Sequence, residues 1–574
     1  MEVAAKFEMA AAIDFGTTYS GYGYSYRYDK DKIHVNSNWS SGSALWKVPT
    51  AILFDDQLKF MAFGEDAENK YSEFAESEEE HKYYYFHRFK MMLYSEQNVT
   101  RDLHLVAANG KTMKAIDVFS GAISYLKSHL MNSVNDRNSG NRITVDKIRW
   151  VLTVPAIWSD GAKQFMREAA VKCGIPTDAL SIALEPECAS LYTQSLKDAQ
   201  IVDFAKAGTK YMVLDNGGGT IDVTVHQILG SGGVKELYKA TGGAWGGTKV
   251  DILFEEYLTT MFSKRVIDKV KKDFPSDWVD MMRDFEKIKR SINRENANDF
   301  VLFFLKPSVR EVYQDLIGVN LVEAFRNNIS SRGASMRGSS RLQIPRRNIT
   351  EMIENVSKTV KGHASFLLQQ PEVRGLDFIN MVGGFSNSKI LVDQIKSLVG
   401  RIPVIVPEEA ELAVVKGAVI FGWKPNYITS RRSKKTYGIS MVSDFKASVD
   451  PLRLKFLDDD GVVKCKMIFD RLVSVNQDIG VGQKVSRNYF PVYNNQSEMN
   501  IVLYASDNGN VRYCDEEGVI KVGCLVVPMP DAKGNKNRKV AVDVQFGNTE
   551  FRVDGRDLTS GKIVNASYDF LLNY

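Results

Sequence analysis

Two stretches of this chain carry residues whose types and spacing suit phosphate chemistry. In Ala11 to Tyr26 an apolar run ends at Asp14 and turns through Phe15-Gly16-Thr17-Thr18 before Tyr19. A carboxylate at a strand end can hold a hydrated cation. Gly16 leaves room for a ligand to reach the backbone. Exposed N–H groups, with the hydroxyls of Thr17 and Thr18, can meet phosphate oxygens. Tyr211 to Val225 repeats the plan: an apolar strand, Asp215, Gly217-Gly218-Gly219-Thr220, then alternating apolar residues. One glycine turn is also what an ordinary hairpin contains. Two strand–Asp–Gly–Thr–strand units in the same order point instead to two similar halves gripping one phosphate chain from opposite sides. The pattern G-x-x-x-x-G-K-[ST] is absent from the chain, so this is not a P-loop.

Other elements must complete such a site. Tyr22, Tyr24 and Tyr26 are two apart and share one face of the strand returning from the first turn. In the aromatic run Tyr83 to Leu93, Lys90 is the cation set aside as a phosphate contact, against the plainer reading of a surface lysine. Ile148 to Ala156 is a buried strand. Ser181 to Pro186 is another, with Glu185 at its end facing either a cleft or solvent. Ser276 to Ile292 reads as a helix on which Glu286, Lys289, Arg290 and Asn293 share one face. That face is either a solvated row of ion pairs or a polar wall for a base and ribose, with the flat Arg290 guanidinium stacking on the ring. Phe378 to Ser386 is a strand running into Gly383-Gly384, and the Ser/Gly/Arg-rich Ile329 to Arg341 reads as a flexible insertion.

The chain has 574 residues, more than one core accommodates, so two or three domains are expected. Net charge is +4 from 74 basic and 70 acidic side chains, a near balance that argues for neither nucleic acid nor a membrane surface as partner. Glu2, Lys6 and Glu8 interrupt the first residues, and no apolar window is long enough to span a bilayer. The five cysteines lack metal-ligand spacing and read as reduced thiols, which places the chain in the cytoplasm, with the nucleus as a second location. Texture changes after residue 425. Residues 426–435, with Ser430-Arg431-Arg432-Ser433-Lys434-Lys435, read as a solvated basic linker, and 436–574 as a separate β-rich domain of short strands. Nothing in the sequence sets the oligomeric state.

Asp14 to Ser20, Leu152 to Ala156, Glu185-Pro186, Asp215 to Val223, Glu286 to Arg290 and Val382-Gly383-Gly384 stand in the order and spacing of the 70-kDa heat-shock chaperones. Over residues 1–425 the chain resembles that family. It is most similar to the divergent heat-shock 70-kDa protein 12-like branch, through Tyr19-Ser20-Gly21-Tyr22 and Phe89-Lys90-Met91. The resemblance implies an α/β fold: a two-lobed actin-like ATPase domain with duplicated RNase H-like cores. It is followed by an all-β region resembling a peptide-binding β-sandwich without a helical lid. It also implies ATP or ADP with Mg²⁺ in the cleft.

By the same resemblance Asp14 and Asp215 hold the metal through water. Gly16, Thr17, Thr18 and Tyr19 bind phosphates from one side, and Gly217, Gly218, Gly219 and Thr220 from the other. Lys90 stabilises the γ-phosphate and Glu185 orders the metal's waters, making Lys90, Glu185, Asp215 and Thr220 the implied catalytic set. Glu286, Lys289, Arg290 and Asn293 match the adenosine contacts, with Asn293 where serine is usual. Gly247, Gly383 and Gly384 match backbone that approaches the nucleotide, and Glu408 matches a position usually occupied by aspartate. Thr248 stands where an acidic residue is usual and Asn387 where an arginine usually stacks on adenine. A basic run replaces the acidic-leucine linker.

The expected function is an ATP-hydrolysing chaperone-like protein whose nucleotide-driven lobe closure controls a lidless β domain for client polypeptides. The alternatives are a nucleotide-gated scaffold with little or no hydrolysis, and a small-molecule kinase of the same superfamily. The kinase would need a carboxylate base beside the γ-phosphate and would leave the β region without a role.

Overall fold

The computed structural model describes residues 6–39, 45–96, 99–137, 142–196, 206–293, 299–326, 332–530, 536–561, 563–566 and 569–571. Its first sheet is built on Met9–Asp14 (β1), which is buried along its whole length. Strands Tyr19–Tyr26 (β2), Asp29–Val35 (β3), Ile148–Val154 (β4) and Leu180–Leu184 (β5) complete the order β5-β4-β1-β2-β3. β1 runs parallel to β4 and antiparallel to β2. Continuous apolar runs in β1 and β4 fit strands covered on both faces.

A second sheet repeats this plan. Lys210–Asn216 (β6), Ile221–Ile228 (β7), Val234–Gly243 (β8), Phe378–Val382 (β9) and Val404–Ile405 (β10) take the order β10-β9-β6-β7-β8, with β6 parallel to β9 and antiparallel to β7. The two hairpins read from the sequence are therefore equivalent parts of two sheets, each with its aspartate at the carboxyl end of the leading strand.

Helices cover the sheets with apolar stripes. Ala115–Arg137 (α1) buries Val118, Ala122, Leu126 and Leu130 against the first sheet. Asp160–Lys172 (α2) is capped by Ser159, whose hydroxyl accepts the Ala162 N–H at 3.2 Å. Glu185–Ser195 (α3) follows β5 directly, with Pro186 in its first turn. Pro275–Ser291 (α4) carries the expected polar face, and Ala413–Trp423 (α5) packs across β1 and α3.

The stretch expected as a flexible insertion is instead half of a hairpin. Ser335–Arg337 pairs with Arg341–Pro345, which pairs with Phe300–Phe304. Leu342 and Ile344, just past that stretch, alternate into the core, and Ser335–Arg337 within it pairs onto their strand. Residues 329–331 of that expectation lie outside the described residues.

Beyond residue 435 the described elements are strands and one short 3₁₀ turn. Thr436–Asp444, Lys455–Leu457, Val463–Val473, Glu498–Ser506 and Val519–Pro528 form one sheet; Gln483–Tyr489, Val540–Phe546, Arg552–Asp557 and Ile563–Ala566 form another. Ile439, Leu503 and Val527 from the first share a core with Val540, Val542 and Val544 from the second, as sheets packed face to face do.

The expected solvated linker is corrected. Ile428–Arg432 (β11) is a strand parallel to β8, and Asp478–Gly480 (β12) pairs antiparallel with it, so the second sheet reaches seven strands and enters the β-rich region. Arg431 holds the buried Glu187 carboxylate with two hydrogen bonds, Nε to Oε1 at 2.6 Å and Nη2 to Oε2 at 2.7 Å, and also donates to the Gly547 carbonyl. Lys434 donates to the carbonyls of Ala156 and Trp158. The basic run is half-buried, with Arg431 and Lys434 drawn in against this carboxylate and these carbonyls.

Glu236 on β8 accepts the Arg432 N–H at 2.7 Å. Burial pushes its carboxyl from 4.5 up to about 7; the Arg432 N–H opposes the rise, Glu187 adds to it, and Arg431 and Lys434 oppose it. Between those two pH values the folded chain keeps a proton that the unfolded chain releases. Stability from this group is therefore complete below about pH 4.5 and is lost as pH rises to about 7. Glu236→Gln is expected to melt above wild type by a margin that grows from pH 5 to pH 8. Thermal melts of both proteins at the two pH values check this, and a constant margin would contradict it.

Candidate functional site

One cavity receives the carboxyl ends of β1 and β6 and the turns that follow them. Asp14, Gly16, Thr17, Thr18 and Tyr19 line it from the first sheet, and Asp215, Gly217, Gly218, Gly219 and Thr220 from the second. The turns touch. A Cβ on Gly218 would lie 2.4 Å from Thr18 Oγ1, and one on Gly219 2.5 Å from Thr17 Oγ1, so only glycine permits this approach. The Gly217, Gly218 and Gly219 carbonyls accept the N–H groups of Gly247, Thr248 and Gly246 at 3.1, 2.8 and 3.1 Å, which props the second turn from behind.

Charged groups converge between the turns. Lys90 Nζ is 2.7 Å from Glu185 Oε1 and lies 5.2 Å from the Trp158 ring centroid. Asp14 accepts from Lys47 Nζ at 2.6 Å through Oδ2 and from Thr153 Oγ1 at 3.1 Å through Oδ1. Asp222 accepts the Ile157 N–H at 2.8 Å. Burial holds the Asp215 carboxyl well above the usual range, reinforced by Glu185, Asp222 and Asp14. Burial also pushes Glu185 up to about 7, with Lys90 opposing and Asp14 and Asp222 adding to the rise. Three carboxyls (Asp14, Glu185, Asp215) line the cavity here with two ammonium groups (Lys47, Lys90), a formal excess of one negative charge when all are ionised. That donor set fits a hard divalent cation, which takes oxygen ligands.

The base-side wall comes from α4. Lys289 Nζ lies 2.5 Å from Glu286 Oε2 and 2.7 Å from Asp251 Oδ1; Arg290 Nε donates to Glu286 Oε1 at 2.9 Å. Burial would raise Glu286, but Lys289 and Arg290 overcome it and hold the carboxyl down to about 2. The Arg290 guanidinium lies 4.8 Å from the Tyr19 ring centroid, so a flat cation and an aromatic ring from opposite sides already meet. Gly247, Gly383, Gly384 and Asn387 line the same cavity.

Two expected site residues are not among those lining it. α4 ends at Ser291 and Ile292 is extended, so helical spacing no longer carries Asn293 onto the face of Glu286. Glu408 is exposed; a short 3₁₀ turn, Ala410–Leu412, brings Glu411 to the cavity instead, where it accepts from Asn387 at 3.3 Å. Sequence pattern does not mark Lys47, Trp158 or Glu411, which join the site through contacts distant in the chain. Asp222 alone carried a usable signal, since alternation after Thr220 turns it inward.

The family model described as "Hsp70 protein" matches residues 13–310. Heat shock 70 kDa protein 12A of Mus musculus is 34% identical across 99% of this chain and 92% of its own length, and heat shock 70 kDa protein 12B of Homo sapiens is 33% identical across the same shares. The chaperone protein DnaK of Thermotoga petrophila is 24% identical across 72% of this chain and 60% of its own.

Proposed function

The chain belongs to the 70-kDa heat-shock protein family, in the branch of heat shock 70 kDa proteins 12A and 12B, and from that membership we propose that it binds ATP and ADP with Mg²⁺ and hydrolyses ATP. In this reading the two repeated sheets are the RNase H-like cores of two lobes. The phosphate chain lies between their glycine turns, and the base lies against α4. The observation that carries the reading is the meeting of Lys90, Glu185, Asp14 and Asp215 between those turns.

Phosphoryl transfer needs positioning and charge neutralisation more than covalent chemistry. A bound Mg²⁺ would supply positive charge to offset that of the phosphates, and Asp14 and Asp215 would hold it through water. Lys90, almost fully buried, brings an ammonium to the γ-phosphate where water screens it little. Glu185 orients water, and the hydroxyls of Thr17, Thr18 and Thr220 bind phosphate oxygens. Tyr19 and Arg290 close over the nucleoside. Closure of the lobes excludes water. Its signal reaches the β-rich region through α3, since Glu185 and the Arg431-bound Glu187 lie on the same first turn. That region then acts on client polypeptides.

The test is calorimetric binding of ADP and ATP with Mg²⁺, followed by phosphate release in a single turnover with enzyme in excess. Binding with release supports the ATPase. Binding without release reassigns the protein as a nucleotide-gated scaffold, and no binding overturns the reading.

A further inference from the structure

Lys47 enters the cavity from the residue preceding Val48–Pro49, a short strand paired with β2. Its stem crosses Gly21, the residue of β2 directly opposite Asp14; a Cβ there would lie 3.0 Å from Lys47 Cγ. The ammonium thus arrives on Asp14 Oδ2 at 2.6 Å while Thr153 occupies Oδ1. Both oxygens of this carboxylate are engaged by the protein itself. The Lys47 side chain is 18% exposed and that of Asp14 6%, so bulk water screens the pair weakly. Of the other lysines lining the cavity, Lys90 is committed to Glu185 and Lys289 to Glu286 and Asp251.

We propose that Lys47 and a divalent cation are alternative partners of Asp14, so that Lys47 sets how strongly nucleotide binding depends on the metal. The inference rests on the nucleotide-binding reading above and assigns a role to a residue which that reading leaves unused. A second cation brought to Asp14 Oδ2 would be repelled by the ammonium already there, so metal binding must displace Lys47. The displaced ammonium remains among the phosphate-binding turns, where an anionic ligand can receive it. Without metal, Lys47 neutralises a carboxylate that would otherwise repel the phosphate chain. Loss of the charge at residue 47 therefore has two effects of opposite sign. Metal-free nucleotide binding weakens, and less metal is needed to reach full affinity.

The experiment measures ADP affinity by calorimetry in EDTA and across a Mg²⁺ series, on the full chain, for wild type, K47M, K47Q and K47R. K47M and K47Q are expected to weaken metal-free ADP binding roughly tenfold and to lower the Mg²⁺ midpoint roughly tenfold, the size of a typical coupling between two ligands. K47R keeps the charge and should stay near wild type in both. Melting temperatures establish that each variant is folded, and K47Q, with a polar head, serves where K47M is not. The proposal is overturned if charge removal moves neither quantity, or raises the Mg²⁺ midpoint while weakening metal-free binding, as general damage to the cavity would. Wild-type protein that binds no ADP with or without Mg²⁺ overturns the cleft reading and this inference together; wild-type binding with unmoved variants overturns this inference alone.

Discussion

Replacing Lys90 by alanine is expected to slow single-turnover ATP hydrolysis by roughly 10²- to 10³-fold, the usual cost of removing one charged donor aimed at a developing negative charge. The residue is 2% exposed, and its ammonium stands over Trp158 and is paired at 2.7 Å with Glu185. In so dry a position its ammonium acts at nearly full strength on phosphate oxygens. ADP affinity should change far less, because the γ-phosphate is the group Lys90 serves. Without its counter-ion Glu185, already pushed up by burial, will hold its proton more firmly. This limits the cost to folding, since a neutral buried carboxyl is cheaper than an unpaired charged one. Quench-flow phosphate release with enzyme in excess, with ADP affinity measured alongside, decides it. An unchanged rate would remove Lys90 from the chemistry, and lost ADP binding would show that the substitution damaged the cavity.

The largest stability effect is expected at Gly417, on α5. A Cβ there would lie 1.6 Å from the Cys188 carbonyl oxygen and 3.1 Å from its Cα, so α5 and α3 cross backbone to backbone. No rotamer relieves such a clash, because both sides are main chain. Gly417→Ala must push the helices apart, reopening a core that holds Ala12, Val151 and Ala189. The cost should exceed about 4 kcal/mol, a large part of the roughly 5–15 kcal/mol that holds a domain folded. Gly362 is the control: it is exposed, mid-helix, with nothing within 4 Å of its Cβ position. Gly362→Ala should be neutral or stabilising by up to about 1 kcal/mol, through helix propensity. Thermal melts should show Gly417→Ala far below wild type or insoluble and Gly362→Ala at or above it. Equal melting of the two would mean that α3 and α5 are not in backbone contact.

Much of this was legible because its causes are local. A strand, an aspartate and a glycine turn are neighbours in sequence, so both hairpins could be read before their sheets were seen. Helical spacing placed Glu286, Lys289 and Arg290 on one face correctly, and failed at Asn293 because the helix stops two residues earlier. What stayed hidden depends on partners far along the chain. Arg431 meets a carboxylate 244 residues away, and the Arg432 N–H one 196 away, so a run of basic residues reads as solvated although it is half-buried against distant partners. Lys47 is one lysine before a Val-Pro pair, and only the pairing of β2 with Val48–Pro49 on one side and β1 on the other shows that Asp14 lies across from it. In Arg341 to Pro345, alternation of Leu342 and Ile344 was masked by the serines and arginines around it.

The strand β11 also bears on how freely the two regions can be exchanged. Because β11 lies between β8 and β12, the boundary drawn at residue 425 cuts through a sheet. A fragment ended there leaves β8 with an open row of N–H and C=O groups, a template for the strand of another copy, and takes from Glu236 the N–H it accepts. The β-rich region is thus not a module that can be replaced with a different one at that point. Any substitute would have to bring its own strand to close the sheet, together with cations for Glu187 and the carbonyls beside Trp158. Recombination between relatives should be tolerated inside the surface turns of either region far more readily than at the junction that composition marks as their border.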